Sequence, residues 1–151
     1  MYIHNDGEKH MIRLILASHG SLASGMKSAV QMITGSDYGI CCYDLDQYKD
    51  PQIIKSSIQK ETSLHQDQQF IILTDLYGGS VNNALLELAL SDNTVVATGM
   101  NLGMVLSILL DESSSPMGCV THAIDSSSPM IQAWDSKRLK EIINTEEDSI
   151  I

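Results

Sequence analysis

The sequence contains a histidine at a position that suits nucleophilic chemistry. His19 follows the short apolar run Leu14 to Ser18 and precedes Gly20 and Ser21. A short apolar run closed by glycine and serine is typical of a buried strand that ends in a turn. A neutral imidazole becomes a directed nucleophile when a carboxylate holds one ring N–H, because the other ring nitrogen then presents its lone pair. The rest of the sequence should therefore supply a carboxylate and groups that bind an anion.

A second cluster supplies both kinds of group. Asp75 follows the apolar run Phe70 to Thr74 and is the candidate carboxylate, and the chain continues through Gly78 and Gly79 to Ser80. A Gly-Gly-Ser turn at the start of a helix exposes backbone N–H groups to an anion, with help from the helix dipole. Glycine also lets the backbone approach a ligand closely. Together with His19, this cluster predicts a histidine that accepts and gives up a phosphoryl group.

A third cluster follows another apolar run. Gly99 and Asn101 come after the run Thr94 to Thr98, and Asn101 is expected to cap the next helix. The residues expected to contact a phosphoryl group are Ser21, Gly78, Gly79, Ser80 and Asn101. Each of these features also has an ordinary structural explanation, because aspartate often caps a turn and serine or asparagine a helix. Their common place after strands favours the functional interpretation.

Hydrophobic spacing predicts four strand–helix units joined by short connections. The expected strands are Leu14–Ser18, Gly39–Asp46, Phe70–Thr74 and Thr94–Thr98. The helices are expected to begin at Leu22, at Asp50–Pro51, at Ser80 and at Asn101, with Ser80 as the cap of the third. Such an alternation predicts an α/β, doubly wound fold, with a parallel sheet and helices on both faces. Ligands bind at the carboxyl edge of such a sheet. We therefore expect His19, Asp75 and Asn101 to converge there.

The last third of the chain departs from this alternation. Ser-Ser-Ser-Pro-Met occurs twice, at 113–117 and 126–130, and each proline should begin a new element. The expected elements are a helix at Met117–Ile124, a short fifth strand at Met130–Trp134 and a last helix at Lys137–Asn144. Residues 1–10 are expected to form a flexible extension, 11–145 a single domain, and 146–151 a frayed acidic tail.

Composition excludes several classes of function. The 151 residues, 43% of them hydrophobic, suit one domain, and we expect a cytoplasmic protein because neither a membrane-length apolar run nor a signal-peptide layout is found. Nineteen acidic against nine basic residues give a net charge of -10, which argues against nucleic acid and favours a partner with a basic face. The cysteines at 41, 42 and 119 lack zinc-ligand spacing and should be reduced and mostly buried. We expect no metal and no cofactor.

Three motifs carry a resemblance to a known family. L-I-L-A-S-H-G-S, L-T-D-L-Y-G-G-S-V-N-N-A and T-G-M-N-L-G-M resemble enzyme IIA proteins of the bacterial sugar phosphotransferase system, mannose/fructose/sorbose class. The resemblance spans about 11–110. It implies the strand order 2-1-3-4 and an antiparallel fifth strand exchanged within a homodimer.

The resemblance also implies a reaction and its partners. His19 would be phosphorylated by the phosphocarrier protein HPr and would pass the group to a histidine or cysteine of a IIB component, with the membrane sugar permease involved only indirectly. Asp75 matches the carboxylate that orients the family's histidine, and Ser80 matches a serine near the phosphate. The sugar itself is selected by the membrane subunits, so this chain does not identify it.

The chain departs from the family pattern at two places, and two other interpretations remain open. Val81-Asn82 stands where the family usually has Pro-Phe, and Gly103 stands where it often has proline. One alternative is a regulatory or binding module of the same fold that senses phosphorylation, although such a module could have lost His19 or Asp75. The other is the phosphocarrier subunit of dihydroxyacetone kinase, which the G-G-S-x-x-N pattern suits less well.

Overall fold

Strands and helices alternate through most of the chain. The structure is a computed structural model that describes residues 12–113 and 115–148. The strands are β1 (Ile12–Ser18), β2 (Cys41–Asp44), β3 (Gln69–Thr74) and β4 (Thr94–Thr98). The helices are α1 (Leu22–Thr34), α2 (Leu45–Tyr48), α3 (Pro51–Leu64), α4 (Ser80–Leu85), α5 (Leu102–Leu110), α6 (Pro116–Ser127) and α7 (Ser136–Asp148). Short 3₁₀ helices lie at Leu86–Leu90 and Ser128–Met130.

The four strands form one parallel sheet in the order β2-β1-β3-β4, which confirms the predicted topology. Ser18 lies opposite Asp44, and Thr74 lies opposite both Ala17 and Thr98. This register brings the carboxyl ends of all four strands to one edge. The residues that follow β1 and β3, which are adjacent strands, are therefore neighbours in space.

Helices cover both faces of the sheet, as predicted. Alternate residues of β1 point to opposite faces, so Leu14 and Leu16 enter one hydrophobic cluster while Ile15 and Ala17 enter the other. The first cluster includes buried side chains of α1, α5 and α6, and the second includes those of α3 and α4. Burial of β1 and β3 from both sides explains why these strands are nearly continuous apolar runs.

Several element boundaries differ from the predictions for local reasons. The second strand ends at Asp44 rather than Asp46, because the chain turns there into the short helix α2. The helix predicted at Met117–Ile124 is longer and begins at Pro116, where the side chain of Ser115 accepts the N–H of Gly118. Proline occupies the first turn of that helix and of the 3₁₀ helix at Ser128–Met130, so each proline does begin an element.

The fifth strand is not formed within the single chain. The 3₁₀ helix takes in Met130, and residues 131–135 have no regular secondary structure. A strand requires a neighbouring strand for its hydrogen bonds, so exchange with a second subunit stays a prediction. Helix α7 runs three residues into the range expected for the acidic tail. The expected extension at 1–10 and the last residues, 149–151, lie outside the described residues.

The cysteine side chains have no disulfide partner. Cys119 is buried and Cys41 and Cys42 are half-buried, close to what the sequence predicted. Burial raises the pKa of the Cys42 and Cys119 thiols to about 11, so both stay protonated at neutral pH. Across the described ranges, none of the helices combines the length and the apolar character needed to cross a membrane.

Candidate functional site

His19 and Asp75 lie side by side because β1 and β3 are adjacent and end at the same edge. The Oδ2 atom of Asp75 accepts the backbone N–H of His19 at 2.9 Å and lies 3.0 Å from the imidazole Nδ1. The Oδ1 atom lies 3.3 Å from Nδ1 and accepts the N–H of Leu76 at 3.0 Å. The carboxylate therefore holds both the ring and the main chain of His19. A proton on Nδ1 is the arrangement that this contact favours.

Ser80 lies at the other ring nitrogen. Its Oγ is 3.2 Å from Nε2 of His19, and with the proton on Nδ1 the serine hydroxyl donates to the Nε2 lone pair. The side chain of His19 is 40% exposed, whereas that of Asp75 is only 11% exposed. The orienting group is thus shielded from water, and the imidazole remains accessible from the surface.

Ser80 does not cap α4, which corrects the sequence-based expectation. Gly79 occupies the N-cap position, and Ser80 is the first residue of the helix. The reason is that the Ser80 hydroxyl points to the imidazole of His19 and is not bonded to a backbone N–H of the first turn.

The two glycines of the turn have different roles. Gly78 adopts a φ of 75°, a conformation that favours glycine. Gly79 has an ordinary φ of -68°, but a Cβ atom there would lie 2.8 Å from Cε1 of His19. The N–H of Gly79 donates to the carbonyl of Leu76 at 3.1 Å, so it is already engaged. Gly79 therefore provides space for the ring, and the expectation that its N–H faces an anion does not hold in this geometry.

Ser21 is less well placed than the sequence suggested. It occupies the N-cap position of α1, is exposed, and makes no side-chain cap hydrogen bond. The buried Oγ of Ser18 accepts the N–H of Ala23 at 2.7 Å instead. Asp44, at the end of β2, accepts the N–H of Ser24 at 3.2 Å and also its hydroxyl. The start of α1 is thus held by Ser18 and Asp44, which sequence reasoning had not assigned to it.

Asn101 caps α5, as predicted. Its Oδ1 accepts the N–H of Met104 at 3.0 Å, and its Nδ2 donates to the carbonyl of Gly99 at 3.3 Å. The adjacent N–H of Met100 donates to the carbonyl of Thr74 at 3.0 Å, which fastens this loop to the end of β3. Both ends of the Asn101 amide are therefore engaged in its own loop. A contact with a phosphoryl group stays a prediction.

A second histidine has a carboxylate partner that the sequence did not indicate. Nδ1 of His122 lies 2.9 Å from Oδ2 of Asp111, between α6 and the loop after α5. Burial opposes ionisation of Asp111, but hydrogen bonds from the Ser113 N–H and from His122 hold its pKa below the ordinary value. Unlike His19, His122 has no hydroxyl bonded to Nε2 among the described residues, and its side chain is 65% exposed. It therefore has only part of the His19 arrangement.

Sequence reasoning also missed a buried pair beneath the turn. The Oγ1 of Thr74 donates to Oδ1 of Asn82 at 2.8 Å, and both side chains are almost completely buried. The available signal was a polar residue on the inner face of a helix whose buried neighbours are Val81 and Leu85. A buried polar side chain in that setting requires a partner.

The fold and the site together define a doubly wound α/β protein with a histidine–carboxylate site at the carboxyl edge of its sheet. Residues 13–124 match the family model described as "PTS system fructose IIA component". Because this match covers well over half of the 151 residues, the chain belongs to that family, the EIIA components of the phosphotransferase system. The family identified from the three sequence motifs is confirmed.

Curated relatives and solved structures agree with this assignment. The chain is 28% identical to the sorbose-specific EIIA component of Klebsiella pneumoniae over 100 residues, covering 66% of this chain and 73% of the relative. It is 28% identical over 104 residues to that of Lacticaseibacillus casei, covering 68% and 75%. The fold matches a phosphotransferase system component EIIA from Streptococcus agalactiae with a TM-score of 0.73 at 23% identity, covering 82% and 97% of the two chains. A mannose/sorbose specific IIA subunit from Enterococcus faecalis matches with a TM-score of 0.64 at 21% identity, covering 83% and 96%.

Proposed function

We propose that this EIIA component is a phosphohistidine relay in which His19 accepts a phosphoryl group from the phosphocarrier protein HPr and passes it to a IIB component. The observation that carries the proposal is the placement of the His19 ring between Asp75 and Ser80. One ring nitrogen is held by a shielded carboxylate, and the contact of the other with Ser80 lies at the exposed surface of the protein. This is the arrangement that a directed imidazole nucleophile requires.

The transfer step balances without an added base. The Nε2 lone pair of His19 forms a bond to phosphorus while the bond from phosphorus to the donor nitrogen breaks, and the bonding electrons return to the donor. The ring then carries a positive charge, with its proton still on Nδ1. The negative charge of Asp75, 3.0 Å away, stabilises this imidazolium as it forms. Transfer to IIB is the same step in the opposite sense, with the acceptor's nucleophile attacking phosphorus.

Ser80 is proposed to bind the phosphoryl group. Its hydroxyl donates to Nε2, the atom proposed to become bonded to phosphorus. Once the phosphoryl group is bonded to Nε2, the hydroxyl can rotate and donate to a phosphoryl oxygen. A neutral hydrogen bond to the ring is then replaced by a charge-assisted hydrogen bond to the phosphoryl group. The backbone N–H groups of Gly78 and Ser80 remain proposed donors, and the N–H of Gly79 is not included. A small number of donors suits a relay, because the group must leave again.

A homodimer is proposed as the functional assembly. Met130, Ile131 and Trp134 lie in a segment without a neighbouring strand, and all three side chains are exposed. Leu139 and Ile143 of the following helix are also about half exposed. Large apolar side chains grouped in one segment favour burial against another surface. Pairing of this segment with a second copy would bury them and give the fifth strand its hydrogen-bond partner.

The rival interpretations have no specific structural support. A regulatory module of the same fold would not require a nucleophile, an orienting carboxylate and a hydroxyl arranged around one ring. The matched family model and the curated relatives are components of the phosphotransferase system, which favours the sugar class over the dihydroxyacetone kinase subunit.

The proposal is tested by reconstituting the first transfer. The protein is incubated with ³²P-labelled phosphoenolpyruvate, enzyme I and HPr, and acid-labile label is followed on the wild type, His19→Ala and His122→Ala. The wild type and His122→Ala should be labelled, and His19→Ala should not. His122→Ala is the matched control because His122 also has a carboxylate at Nδ1. Label on His19→Ala, or none on the wild type, would contradict the proposal.

A further inference from the structure

A buried hydrogen bond joins the two ends of the loop that carries the site. Thr74 is the last residue of β3 and Asn82 lies in the first turn of α4, and neither side chain is more than 1% exposed. The Thr74 hydroxyl donates to Oδ1 of Asn82 at 2.8 Å. Between them run residues 75–81, which include Asp75 and Ser80. The contact therefore fixes the start of α4 against the end of β3.

The distance between the end of β3 and the start of α4 matters because the two groups that hold the His19 ring lie at the two ends of the connecting loop. Asp75, which holds Nδ1, immediately follows Thr74, and Ser80, which contacts Nε2, comes two residues before Asn82. A shift of α4 relative to β3 would change the gap in which the ring lies. Gly79 would shift with it, and it already lies close to the ring, since a Cβ atom at this position would be 2.8 Å from Cε1.

No other side-chain bond in the loop replaces this connection. Asn83 donates to the carbonyl of Gly78 at 3.0 Å, and the N–H of Gly79 donates to the carbonyl of Leu76. Both bonds close the turn upon itself. Among the hydrogen bonds of the described residues, only the one between Thr74 and Asn82 joins a side chain of α4 directly to a side chain of β3.

The pair is not arranged for maximum stability. The Nδ2 of Asn82 is buried and has no hydrogen-bond partner within the described residues, and the same holds for Oγ1 of Thr98. Thr98 lies opposite Thr74 in the sheet. A buried donor without a partner costs free energy, whereas an apolar side chain of similar size would avoid that cost. The asparagine is thus better explained by what it positions than by what it adds to stability.

We propose that Asn82 is a positioning residue for phosphoryl transfer, acting through Thr74 to hold the loop that orients His19. The inference rests on the proposed function of His19, but it concerns residues that touch neither the ring nor the phosphoryl group. Because both side chains are buried, they act on the rate of transfer and not on the binding of the donor protein.

The kinetic test uses variants that keep the volume and remove the bond. Asn82→Leu and Thr74→Val should lower kcat for transfer from HPr by roughly 10-fold to 100-fold, as expected for a small displacement of reacting groups, with KM for HPr unchanged. Thr74→Ser restores the hydroxyl and should recover most of the rate lost in Thr74→Val. Thr62→Val, a buried threonine in α3 that bonds only within its helix, is the matched control and should retain the wild-type rate.

Two further measurements, the stability of each variant and the transfer rate of the double variant, distinguish a positioning role from a general loss of stability. Asn82→Leu should unfold at the same or a higher denaturant concentration than the wild type, because it removes an unpaired buried amide. The double variant Thr74→Val/Asn82→Leu should be no slower than Thr74→Val, which already removes both the bond to Asn82 and the 3.4 Å contact of the hydroxyl with the Ala97 carbonyl. Rates that fall in proportion to lost stability, with Thr74→Ser as slow as Thr74→Val, would overturn the proposal.

A spectroscopic test requires no partner protein. ¹⁵N NMR of the free protein should show His19 with its proton on Nδ1, and Asn82→Leu and Thr74→Val should show a mixture of the two neutral tautomers. Unchanged ring signals together with wild-type rates would overturn the positioning role. If the wild type is not phosphorylated on His19, the proposed function fails, and a changed tautomer mixture in both variants still supports the positioning of the ring.

Discussion

One carboxylate oxygen holds His19 at two points: Oδ2 of Asp75 lies 2.9 Å from the backbone nitrogen and 3.0 Å from Nδ1 of the ring. The bond to the main chain fixes the position of the His19 backbone, and the bond to the ring fixes the orientation of the imidazole. The two contacts together hold the imidazole in one orientation. Preorganised groups of this kind need little rearrangement when charge develops.

The first prediction concerns the charge of Asp75. Asp75→Asn keeps the shape of the side chain but removes the charge that stabilises the imidazolium, and its amide can favour the wrong tautomer. Transfer should slow by roughly 10²-fold to 10⁴-fold, by analogy with orienting carboxylates in other enzymes. Stopped-flow measurement of transfer from HPr gives the rate. Asp46→Asn, an exposed carboxylate near Gly20, is the control, and equal losses in the two variants would contradict the role of Asp75.

The second prediction concerns the space that Gly79 provides. Gly79→Ala places a Cβ 2.8 Å from Cε1 of His19 and 3.1 Å from the carbonyl oxygen of Leu76, while its φ of -68° suits alanine. The ring must therefore move, and the Leu76 carbonyl must shift by a few tenths of an ångström. Transfer should fall by roughly 10-fold or more with little change in stability. Gly35→Ala is the converse control, because its φ of 70° strains alanine although nothing lies within 4 Å. That variant should lose about 1 kcal/mol of stability and keep its transfer rate. A wild-type transfer rate in Gly79→Ala together with a reduced rate in Gly35→Ala would show that Gly79 does not make room for the ring.

The third prediction concerns the hydroxyl of Ser80. Ser80→Ala removes one hydrogen bond to the charged phosphoryl group, which is worth about 1.5–3 kcal/mol. Transfer should therefore be slower than in the wild type and still measurable, whereas His19→Ala should have none. The amount of phosphoprotein at equilibrium with HPr measures the same loss directly. An equilibrium and a rate both equal to the wild type would exclude Ser80 from phosphoryl binding.

The fourth prediction concerns docking of the donor protein. Leu76 and Tyr77 follow Asp75 directly and are 60% and 79% exposed, so any protein that reaches Nε2 must come close to them. Tyr77→Ala should raise KM for HPr by roughly 5-fold or more and leave kcat near the wild-type value. Leu90→Ala changes an equally exposed side chain just before the loop into β4 and should alter neither constant. An unchanged KM in Tyr77→Ala would place the docking surface elsewhere.

The fifth prediction concerns assembly. Ile131 is 78% exposed and lies in the segment proposed to pair with a second copy. Sedimentation equilibrium should show a dimer for the wild type at micromolar concentration, and Ile131→Asp should shift it toward monomer, because a charge would be buried in the interface. Lys60→Gln, which also makes the protein more negative by one charge, on the exposed surface of α3, should leave the dimer intact. A wild-type monomer would rule out the proposed dimer.

Much of the fold could be predicted because its signals are local. Apolar runs and helical spacing place β3 and β4 almost to the residue. The pair Asp50-Pro51 marks the start of α3, and the cap Asn101 marks the start of α5. Parallel topology brings His19 and Asp75 to one edge of the sheet, and the placement of β1 beside β3 makes them neighbours. The alternation of strands and helices follows from periodicity in the sequence, whereas the strand order was implied by the family resemblance.

The rest depends on contacts between distant parts of the chain. The side chain that bonds the first turn of α1 belongs to Ser18, not to Ser21, because Ser18 lies within reach of the Ala23 N–H. Gly79 is the cap of α4 because the Ser80 hydroxyl bonds the His19 ring instead. The pairing of Asn82 with Thr74 belongs to the same class. The strand predicted at Met130–Trp134 is not formed within the single chain, because a strand needs a neighbour for its hydrogen bonds, and its exchange with a second subunit stays a prediction.

The most direct test of the central claim is to identify the nitrogen of His19 that carries the phosphoryl group. The protein is labelled with ¹⁵N-histidine, phosphorylated through HPr, and examined by NMR that correlates the ring nitrogens with phosphorus. Because Asp75 contacts Nδ1 and Ser80 contacts Nε2 at the exposed surface, we expect phosphorus bonded to Nε2 with the proton still on Nδ1. Phosphorus on Nδ1, or on any residue other than His19, would contradict it.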